Sequence, residues 1–415
     1  MKNDELWANL HSDLLNQIVK YIHSYEDYAR LRLVCKSWSS TLAKTPEHKY
    51  PWLVLLPSEN SIETYGPREK EINQMRLPQM QNHLFRGSCC GFLVILGLSD
   101  GALKLWNPFT KVSFDLPPIS TLPNIVYLVD YFPEYIAPLW NASTATIERI
   151  HIHMNRPPVH KIIISSPPDS DTHEFMAVVI YGEYSRLGFY RCGDVGWTDI
   201  PTSKAHRCEF EDVIFNEGKI YAVDWNAQLY EFDMHTKPVP LGGATKAKPP
   251  IRVPQSGDPY DWTFKYLAVH GNGSLLMVVR HYVCPRGGVY RTNTFSVYML
   301  TNRELVWSRV YNIGNYALVL GLNSSISMPC AASYTKPNHI YYTDNLFEQH
   351  YVSDEEDELY ADDDEEHNYG RGVEGFHSDV VGSVGGHDIG VFDLEGGGNN
   401  YLFPAALLSA PVWLC

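Results

Sequence analysis

The chain has 415 residues, of which 44% are hydrophobic and 20% charged, so it has enough apolar material for a large core and is not disordered overall. Its 27 Tyr, 10 Trp, 29 Gly and 27 Pro favour strands and tight turns, which argues against a mostly helical protein. The formal net charge is −15, but ten acids lie between Asp354 and Glu366, and the remaining balance of 33 − 38 = −5 gives no basic footprint for nucleic acid.

The amino terminus, MKNDELWANL, is charged from its second residue and lacks the apolar stretch of a signal peptide. No uninterrupted apolar run in the chain reaches the roughly 18 residues that a membrane span needs. We therefore expect an intracellular protein, in the nucleus, the cytoplasm or both, that has no membrane partner.

Residues 1–48 show helical periodicity. Ser12 is suited to be an N-cap, and apolar residues from Leu14 to Ile22 recur on one stripe of a first helix. Two more short helices follow, with Trp38 in the last, and Pro46 ends the unit. Three helices of this length lie below the size, about 40 residues, at which a core usually suffices alone. The unit is therefore expected to dock onto a partner.

From Pro51 onward, strands alternate with turns rich in Gly, Pro, Asn and Asp. Several segments repeat one design, in which an apolar strand, a polar turn and a second strand follow one another. These segments are GFLVILGLSDGALKLWNP (91–108), VVIYGEYSRLGFYR (178–191), GKIYAVDWNAQLYEFD (218–233), SLLMVVRHY with TFSVYML (274–300), and HIYYTD with IGVFDL (339–394).

The spacing of these repeats favours a β-propeller over residues 50–415, because propeller blades recur every 40 to 50 residues or so. We expect about six blades, and seven are possible, since the wide gap between Leu105 and Leu187 leaves room for an unrecognised blade. The alternative is a β-sandwich built of unrelated hairpins, which strand patterning alone does not exclude. Closure of the ring should pair strands from both ends of this region.

The acidic run at 353–367 interrupts the last repeat, because strand patterning resumes at Ile389. Its ten carboxylates repel one another and few apolar groups accompany them, so we expect a mobile, solvated surface loop that folding does not require.

The helical unit, WANLHSDLLNQIVKYIHSYEDYARLRLVCKSW, resembles an F-box. Its apolar and VCKxW residues fall where that motif places them, at Leu10, Leu14, Leu15, Ile18, Leu31, Arg32, Val34, Cys35, Lys36 and Trp38. One departure is His11, where the family usually has Pro. The substitution should loosen the first turn more than any interface, since Ser12 is still expected to cap the helix.

In the F-box family, this unit binds a Skp-type adaptor, which links it to a cullin and a RING protein. The resemblance implies adaptor contacts by Leu10, Leu14, Leu15, Ile18, Val19, Leu31, Val34, Cys35 and Trp38. Some of these residues must instead form the core of the unit. One division places Leu14, Ile18, Val34 and Trp38 inside and leaves Leu10, Leu15, Val19 and Cys35 for the partner, but the sequence does not decide it.

The rest of the chain resembles the plant F-box proteins whose carboxy-terminal region is a KIB-type β-propeller. The matching segments occur in family order: GSCCGFLV, LKLWNPFT and LPP (87–118), F-x-D-V-I-F-N-x-G-K-I-Y-A-V (210–223), LGLNSSISMPCAASY and PNHIYYTD (320–344), and GGHDIGVFDLEGG with the final PVW (385–413). The resemblance implies a small helical F-box followed by an all-β propeller.

No catalytic or cofactor-binding motif emerges from the sequence, which lacks G-x-S-x-G, H-E-x-x-H and a Walker loop. The letters of Gly370 to Gly375 match G-x-G-x-x-G, but they follow the acidic run rather than a buried strand, so flexible glycines are the better interpretation. We therefore expect no catalytic residues and no cofactor.

Metal binding also has little support. His151 and His153 alternate along one expected strand, yet two ligands do not close a coordination sphere and no third is evident nearby. The acidic run lacks the ligand spacing of an EF-hand loop. None of the eight cysteines forms a C-x-x-C pair. We expect neither a metal site nor a disulfide scaffold.

These observations predict a non-catalytic substrate receptor of an SCF-type ubiquitin ligase, whose propeller recruits a target protein that the sequence does not identify. Two alternatives stay open. The chain could be a ligand-binding or enzymatic propeller with a vestigial F-box, or an adaptor-bound scaffold that recruits nothing for degradation.

Overall fold

A computed structural model of the chain describes most of its helices and strands. The described residues are 7–22, 25–42, 52–58, 61–65, 73–76, 83–97, 100–108, 110–123, 159–168, 175–182, 184–201, 208–235, 241–247, 261–283, 291–301, 306–330, 335–345, 388–401 and 412–414. The acidic run at 353–367, Gly370 to Gly375, and the pair His151 and His153 lie outside them.

Three helices form the amino-terminal unit: α1 (Ser12–Lys20), α2 (Tyr25–Leu33) and α3 (Lys36–Thr41). The expectation that Ser12 caps the first helix is wrong. Ser12 is already helical, and the N-cap is His11, whose backbone is extended and whose Nδ1 accepts a hydrogen bond from the Asp13 amide at 3.3 Å. A histidine in place of the usual proline therefore supplies the cap itself.

The described strands that follow form six sheets, each built mainly from neighbouring parts of the chain. The first three comprise β1 (Trp52–Ser58), β2 (Ser61–Tyr65) and β3 (Asn73–Arg76) with β25 (Val412–Leu414); β4 (His83–Cys89), β5 (Phe92–Gly97), β6 (Leu103–Trp106) and β7 (Ser113–Leu116); and β8 (Val159–Ile164), β9 (Met176–Tyr181), β10 (Arg186–Arg191) and β11 (Thr198–Asp199). A short 3-10 helix, Ile119–Thr121, follows β7.

The other three sheets continue in chain order. They comprise β12 (Phe210–Asn216), β13 (Lys219–Asp224), β14 (Leu229–Asp233) and β15 (Leu241–Ala247); β16 (Asp261–Val269), β17 (Leu275–Val283), β18 (Arg291–Thr301) and β19 (Val306–Val310); and β20 (Tyr316–Leu320), β21 (Ile326–Pro329), β22 (His339–Tyr342), β23 (Gly390–Asp393) and β24 (Gly398–Tyr401). The last sheet departs from the pattern, because β20 pairs with β22 in parallel.

One edge strand of each sheet faces the centre of a ring. The strands β25, β4, β8, β12, β16 and β21 occupy these positions and contact one another in that order. A cluster that contains Leu53, Ala317 and Trp413 joins the last sheet to the first, so the ring is closed. This arrangement is a β-propeller, and it rules out the alternative of a sandwich of two sheets.

The ring closes by pairing between the two ends of the region, as predicted. Strand β25 pairs antiparallel with β1, with Trp52 opposite Leu414 and Val54 opposite Val412. Trp413 and Leu414 are buried. The last strand thereby covers a sheet edge that would otherwise be open to aggregation.

The second strand of a blade lies inside its sheet, and this position matches its apolar sequence. All six residues of β5 and all six of β9 are buried, because neighbouring sheets cover both faces of these strands. The hydrophobic clusters accordingly lie between blades; one of them joins Val94 and Leu105 of one sheet to Ile162 and Val179 of the next.

The five sequence repeats correspond to the second and third blade strands, or their equivalents, of five sheets: β5 and β6, β9 and β10, β13 and β14, β17 and β18, and β22 and β23. The fold class, a small helical unit followed by a propeller, is confirmed. The described strands give six sheets, in agreement with about six blades. The sheet that the repeats missed is the first, whose strands come from opposite ends of the region.

Candidate functional site

The helical unit has a small core of its own. Leu15, Tyr28, Trp38 and Leu42 are buried there. The Trp38 indole also donates a hydrogen bond from Nε1 to the carbonyl of Trp7 at 2.9 Å, which ties the start of the unit to α3. The start of α3 is capped by Cys35, whose Sγ accepts a hydrogen bond from the Trp38 amide at 3.4 Å.

The nine residues predicted to bind an adaptor separate into three groups. Leu15 and Trp38 are buried in the core, and Leu10, Ile18, Val19, Leu31 and Cys35 are partly buried, four of them packed against that core. Leu14 and Val34 are exposed, at 55% and 60%. The division that put Leu14 and Val34 inside and Leu15 outside is therefore wrong.

Helix geometry explains the correction. Successive residues are about 100° apart around an α-helix, so Leu14 and Asn16 flank the buried Leu15 on opposite sides. Both are exposed. Val34 lies just past the end of α2, so the helical spacing from Tyr28 and Leu31 that would place it on the inner stripe does not apply to it. Leu14 and Val34 are therefore placed to contact a partner directly, whereas Leu15 and Trp38 would act by stabilising the helical unit.

Three further apolar side chains are exposed on this unit and were not among the predicted contacts. Trp7 is 60%, Leu33 70% and Tyr21 81% exposed. These five exposed apolar groups lie on a unit of only three short helices, and neighbours among them, such as Leu33 and Val34, are candidates for contact with a partner. Tyr21 lies seven residues after Leu14, on the same side of α1, and this spacing could have revealed it.

The centre of the propeller is held together by one buried carboxylate. Asp212 Oδ1 accepts hydrogen bonds from Lys161 Nζ at 2.5 Å and from the Val213 amide at 2.8 Å. Asp212 Oδ2 accepts from the Leu267 amide at 2.8 Å and from Ser325 Oγ at 3.2 Å. These bonds connect three of the six sheets to the segment that precedes β21 of a fourth, and they offset the desolvation of the buried ion pair.

The segment from Gly321 to Ser325 crosses the space between the inner strands. The amide of Ser324 donates to the carbonyl of Ser88 on β4 at 2.8 Å, and Ser325 reaches Asp212 on β12. Packing there is so close that a Cβ added to Gly87 would lie 2.6 Å from the Ile162 carbonyl oxygen. Protein atoms occupy this part of the centre, which leaves the faces of the ring as the surfaces open to a partner.

The two faces of the propeller differ in their connections. Strands alternate in direction within a blade, so the connections from β4 to β5 and from β12 to β13 leave from one face, and they are the tight turns Cys90–Gly91 and Glu217–Gly218. On the opposite face, called the long-connection face after the 42 residues that separate the two strands in sequence, β7 ends at Leu116 and β8 begins at Val159. Tyr184 and Trp225 lie in turns on the long-connection face and are 42% and 44% exposed.

A buried arginine lies towards the long-connection face. Arg280 on β17 is fully buried and pairs with Asp388, which is fully buried too, with Nη2 and Oδ2 2.9 Å apart. Its Nε donates to Thr292 Oγ1 at 2.7 Å, and its Nη1 donates to Tyr266 OH at 2.9 Å and to the Thr343 carbonyl at 2.7 Å. The guanidinium therefore joins β16, β17 and β18 to the neighbouring sheet.

Aromatic rings enclose the same guanidinium, whose central carbon lies 4.8 Å from the ring centre of Tyr282 and 4.5 Å from that of Tyr342. Burial alone would lower the pKa of Arg280, but its interactions with Tyr266, Tyr282 and Asp388 outweigh burial and raise the pKa well above its ordinary value. A permanently charged arginine thus holds Thr343 and Asp388, which bracket residues 346–387.

The described part of the chain contains no group of three or more His, Cys, Asp or Glu side chains placed to hold a metal ion. Among its helices, none is both long and apolar enough to cross a membrane. The surfaces that the geometry offers to a partner are the exposed apolar groups of the helical unit and the long-connection face of the propeller.

Comparison with protein families matches both parts of the chain. A model of the F-box domain matches residues 7–50, and a model of the KIB1-4 β-propeller matches residues 64–393. Arabidopsis thaliana has similar proteins. F-box protein At2g17036 is 24% identical over 368 residues, which cover 78% of this chain and 80% of that protein. F-box protein KIB2 is 22% identical over 355 residues, covering 81% of this chain and 72% of that protein.

Proposed function

Because the chain belongs to the F-box proteins that carry a KIB1-4 β-propeller, we propose that it is the substrate-receptor subunit of an SCF-type ubiquitin ligase. The F-box docks a Skp-type adaptor and, through it, a cullin and a RING protein. The propeller recruits a target protein. The subunit has no catalytic residues of its own and acts in the nucleus, the cytoplasm or both.

The observation that carries the proposal is the exposed apolar surface of the F-box. Leu14 and Val34, which match the family motif, are more than half exposed, and Leu33 beside Val34 is 70% exposed. Buried Leu15 and Trp38 fix the helices from which these side chains project. Leaving such groups in water is unfavourable, at about 25 cal/mol per Å² of apolar area, so an adaptor that covers them gains affinity.

A matched pair of variants tests adaptor docking. Leu14→Arg and Asn16→Arg place the same charge on exposed positions on the two sides of Leu15. We expect Leu14→Arg to weaken adaptor binding at least about tenfold in titration calorimetry, because a charge replaces an apolar contact. Asn16→Arg should leave the affinity within about twofold. Equal affinities for the two variants would refute docking through this surface.

Target recruitment is assigned to the long-connection face. Long connections are the parts of a scaffold that most often carry binding residues, and the strands that flank 117–158 and those that flank the region between Thr343 and Asp388 end or begin at this face. Tyr184 and Trp225 add half-exposed aromatic rings, the type of side chain that dominates the energy of protein interfaces.

Ubiquitin transfer would then result from proximity. A target held on the propeller stays near the ubiquitin-charged conjugating enzyme that the cullin and RING protein bring to the complex. The encounter between lysine and thioester becomes effectively intramolecular, with an effective concentration set by the geometry of the assembly.

Trp225→Ala tests recruitment and separates the alternatives. We expect this variant to retain the adaptor and to lose the proteins that co-purify with the native chain when the proteasome is inhibited. A scaffold that recruits nothing for degradation would show the same partners with and without proteasome inhibition. A vestigial F-box would show no adaptor with either form of the protein.

A further inference from the structure

Two neighbouring thiols meet at the tight turn between β4 and β5. Cys90 and Gly91 are its two central residues and have φ values of 54° and 77°. This is the pattern of a type I′ hairpin turn, and the first position is unusual for a residue that has a side chain. The turn brings Cys90 Sγ to 3.5 Å from Cys89 Sγ.

The two thiols differ in exposure. Cys89 is buried, and its Sγ donates a hydrogen bond to the Ile164 carbonyl on β8 at 3.3 Å. Cys90 is partly exposed on the face opposite the long-connection face. One thiol is thus held in place by the fold while its neighbour is accessible to a small oxidant, the arrangement typical of a reactive cysteine beside a resolving one.

The two thiols affect each other's ionisation, because the interaction with Cys90 is the main cause that lowers the pKa of Cys89. Burial raises the pKa of Cys208 and of Cys330. Thiolates rather than thiols are the nucleophiles, so the Cys89–Cys90 pair should react before these two.

We propose that Cys89 and Cys90 form a peroxide-responsive dithiol that closes to a disulfide between adjacent residues. A hydroperoxide oxidises the accessible Cys90 thiolate to a sulfenic acid and leaves as water or an alcohol. The Cys89 thiol then attacks this sulfur, the S–S bond forms, and a water leaves with the sulfenic oxygen and the thiol proton. The two sulfurs must move from 3.5 Å to about 2.05 Å apart, which rotation of the two side chains can supply.

Oxidation has a structural consequence at the blade interface. Forming the disulfide removes the Cys89 thiol proton, which in the reduced protein is donated to the Ile164 carbonyl. A link between the inner strands β4 and β8 is thereby lost. Adjacent Cα atoms are about 3.8 Å apart, below the usual range of about 4.4 to 6.8 Å for disulfides, so a dithiol reductant should reverse the bond easily.

Peptide mapping of the full chain tests the proposal. The protein is treated with hydrogen peroxide, the remaining thiols are alkylated, and the tryptic peptide 87–104, which contains both cysteines, is weighed. We expect this peptide to lose two hydrogens and to resist alkylation at peroxide doses that leave Cys208 and Cys330 alkylated, and dithiothreitol should restore both sites.

Variants identify the two partners. In Cys89→Ser, Cys90 should stop at the sulfenic acid, which dimedone traps, whereas Cys192→Ser, a control from the same hydrophobic cluster, should behave as the native chain. If Cys89→Ser does not fold, the native peptide decides alone. The proposal is overturned if peptide 87–104 is found joined to Cys192, if both of its thiols alkylate after Cys330 has been oxidised, or if Cys90 passes directly to the sulfinic acid.

Discussion

Leu14 and Leu15 are adjacent apolar residues with opposite environments, since Leu14 is 55% exposed and Leu15 is buried. The same division separates Val34 from Trp38 four residues later. In the F-box, these single positions decide whether a substitution affects stability or partner binding.

Trp38→Ala should unfold or strongly loosen the F-box. The side chain is buried among Leu15, Tyr28 and Leu42, and its Nε1 donates to the Trp7 carbonyl. Replacing a buried tryptophan by alanine costs about 3 to 5 kcal/mol, which a unit this small has little stability to absorb. Hydrogen exchange over residues 7–42 of the full chain should therefore accelerate about a hundredfold or more. Unchanged protection there would mean that Trp38 is not a core residue.

Arg280→Met should destabilise the propeller more than Arg280→Met combined with Asp388→Leu. The single variant leaves the buried Asp388 carboxylate without its cation, a change that costs about 3 to 5 kcal/mol, whereas the double variant removes both charges. Urea unfolding of the two variants measures the difference. Equal stability of the single variant and the native chain would contradict the role assigned to this ion pair.

Residue-level environments were only partly predictable from the sequence. Periodicity places Leu14, Leu15 and Ile18 near one stripe of α1. Which of them face the core depends on how α2 and α3 pack against α1. The Asp212 and Arg280 clusters left no local signal, because their partners lie on different sheets and come together only when the ring forms.

Among the elements of the propeller, the closing strand β25 is the one whose loss should affect folding most. It has three residues and completes a sheet whose other strands begin the propeller. We expect removal of residues 385–415, which takes away β23, β24 and β25, to make the propeller insoluble or sensitive to protease, because open sheet edges aggregate. A soluble truncation that melts cooperatively would show that closure is not required.

Replacing the acidic segment 353–367 with a short Gly/Ser linker should leave the melting temperature nearly unchanged. Long surface insertions add little closure entropy, and the described residues that bracket this region, Thr343 and Asp388, are held by Arg280. Calorimetry of the replaced chain gives the answer. A sharp loss of stability would mean that the segment is docked, whereas unchanged stability with lost partner binding would make it a recognition element whose binding weakens with salt.

Elements could be predicted where a blade lies within one stretch of sequence. The five repeats identified central strands because these are covered on both faces and so consist of apolar runs, such as FLVILG of β5 and MAVVIY of β9. The first blade escaped detection because its inner strand, VWL, is near the end of the chain, so no single window contains the blade.

The whole molecule combines a small helical unit with surplus apolar surface and a closed ring that presents long connections on one face. We propose the division 1–48 for the F-box and 50–415 for the propeller; the matches to the two family models cover 7–50 and 64–393. In a substrate receptor, the first part sets which ligase is joined and the second sets which protein is modified. The identity of that protein depends on side chains of the long-connection face, and no general rule derives a binding partner from the sequence of such a surface.

The most direct test is co-purification of a Skp-type adaptor and its cullin with the full chain and with a chain that lacks residues 1–48, expressed in plant tissue. Both forms must first be shown to be soluble and to melt at similar temperatures. We predict that the full chain recovers both proteins in near-stoichiometric amounts and that the deletion reduces them to background. Undiminished recovery with the deletion, or no recovery with the full chain, would contradict the account.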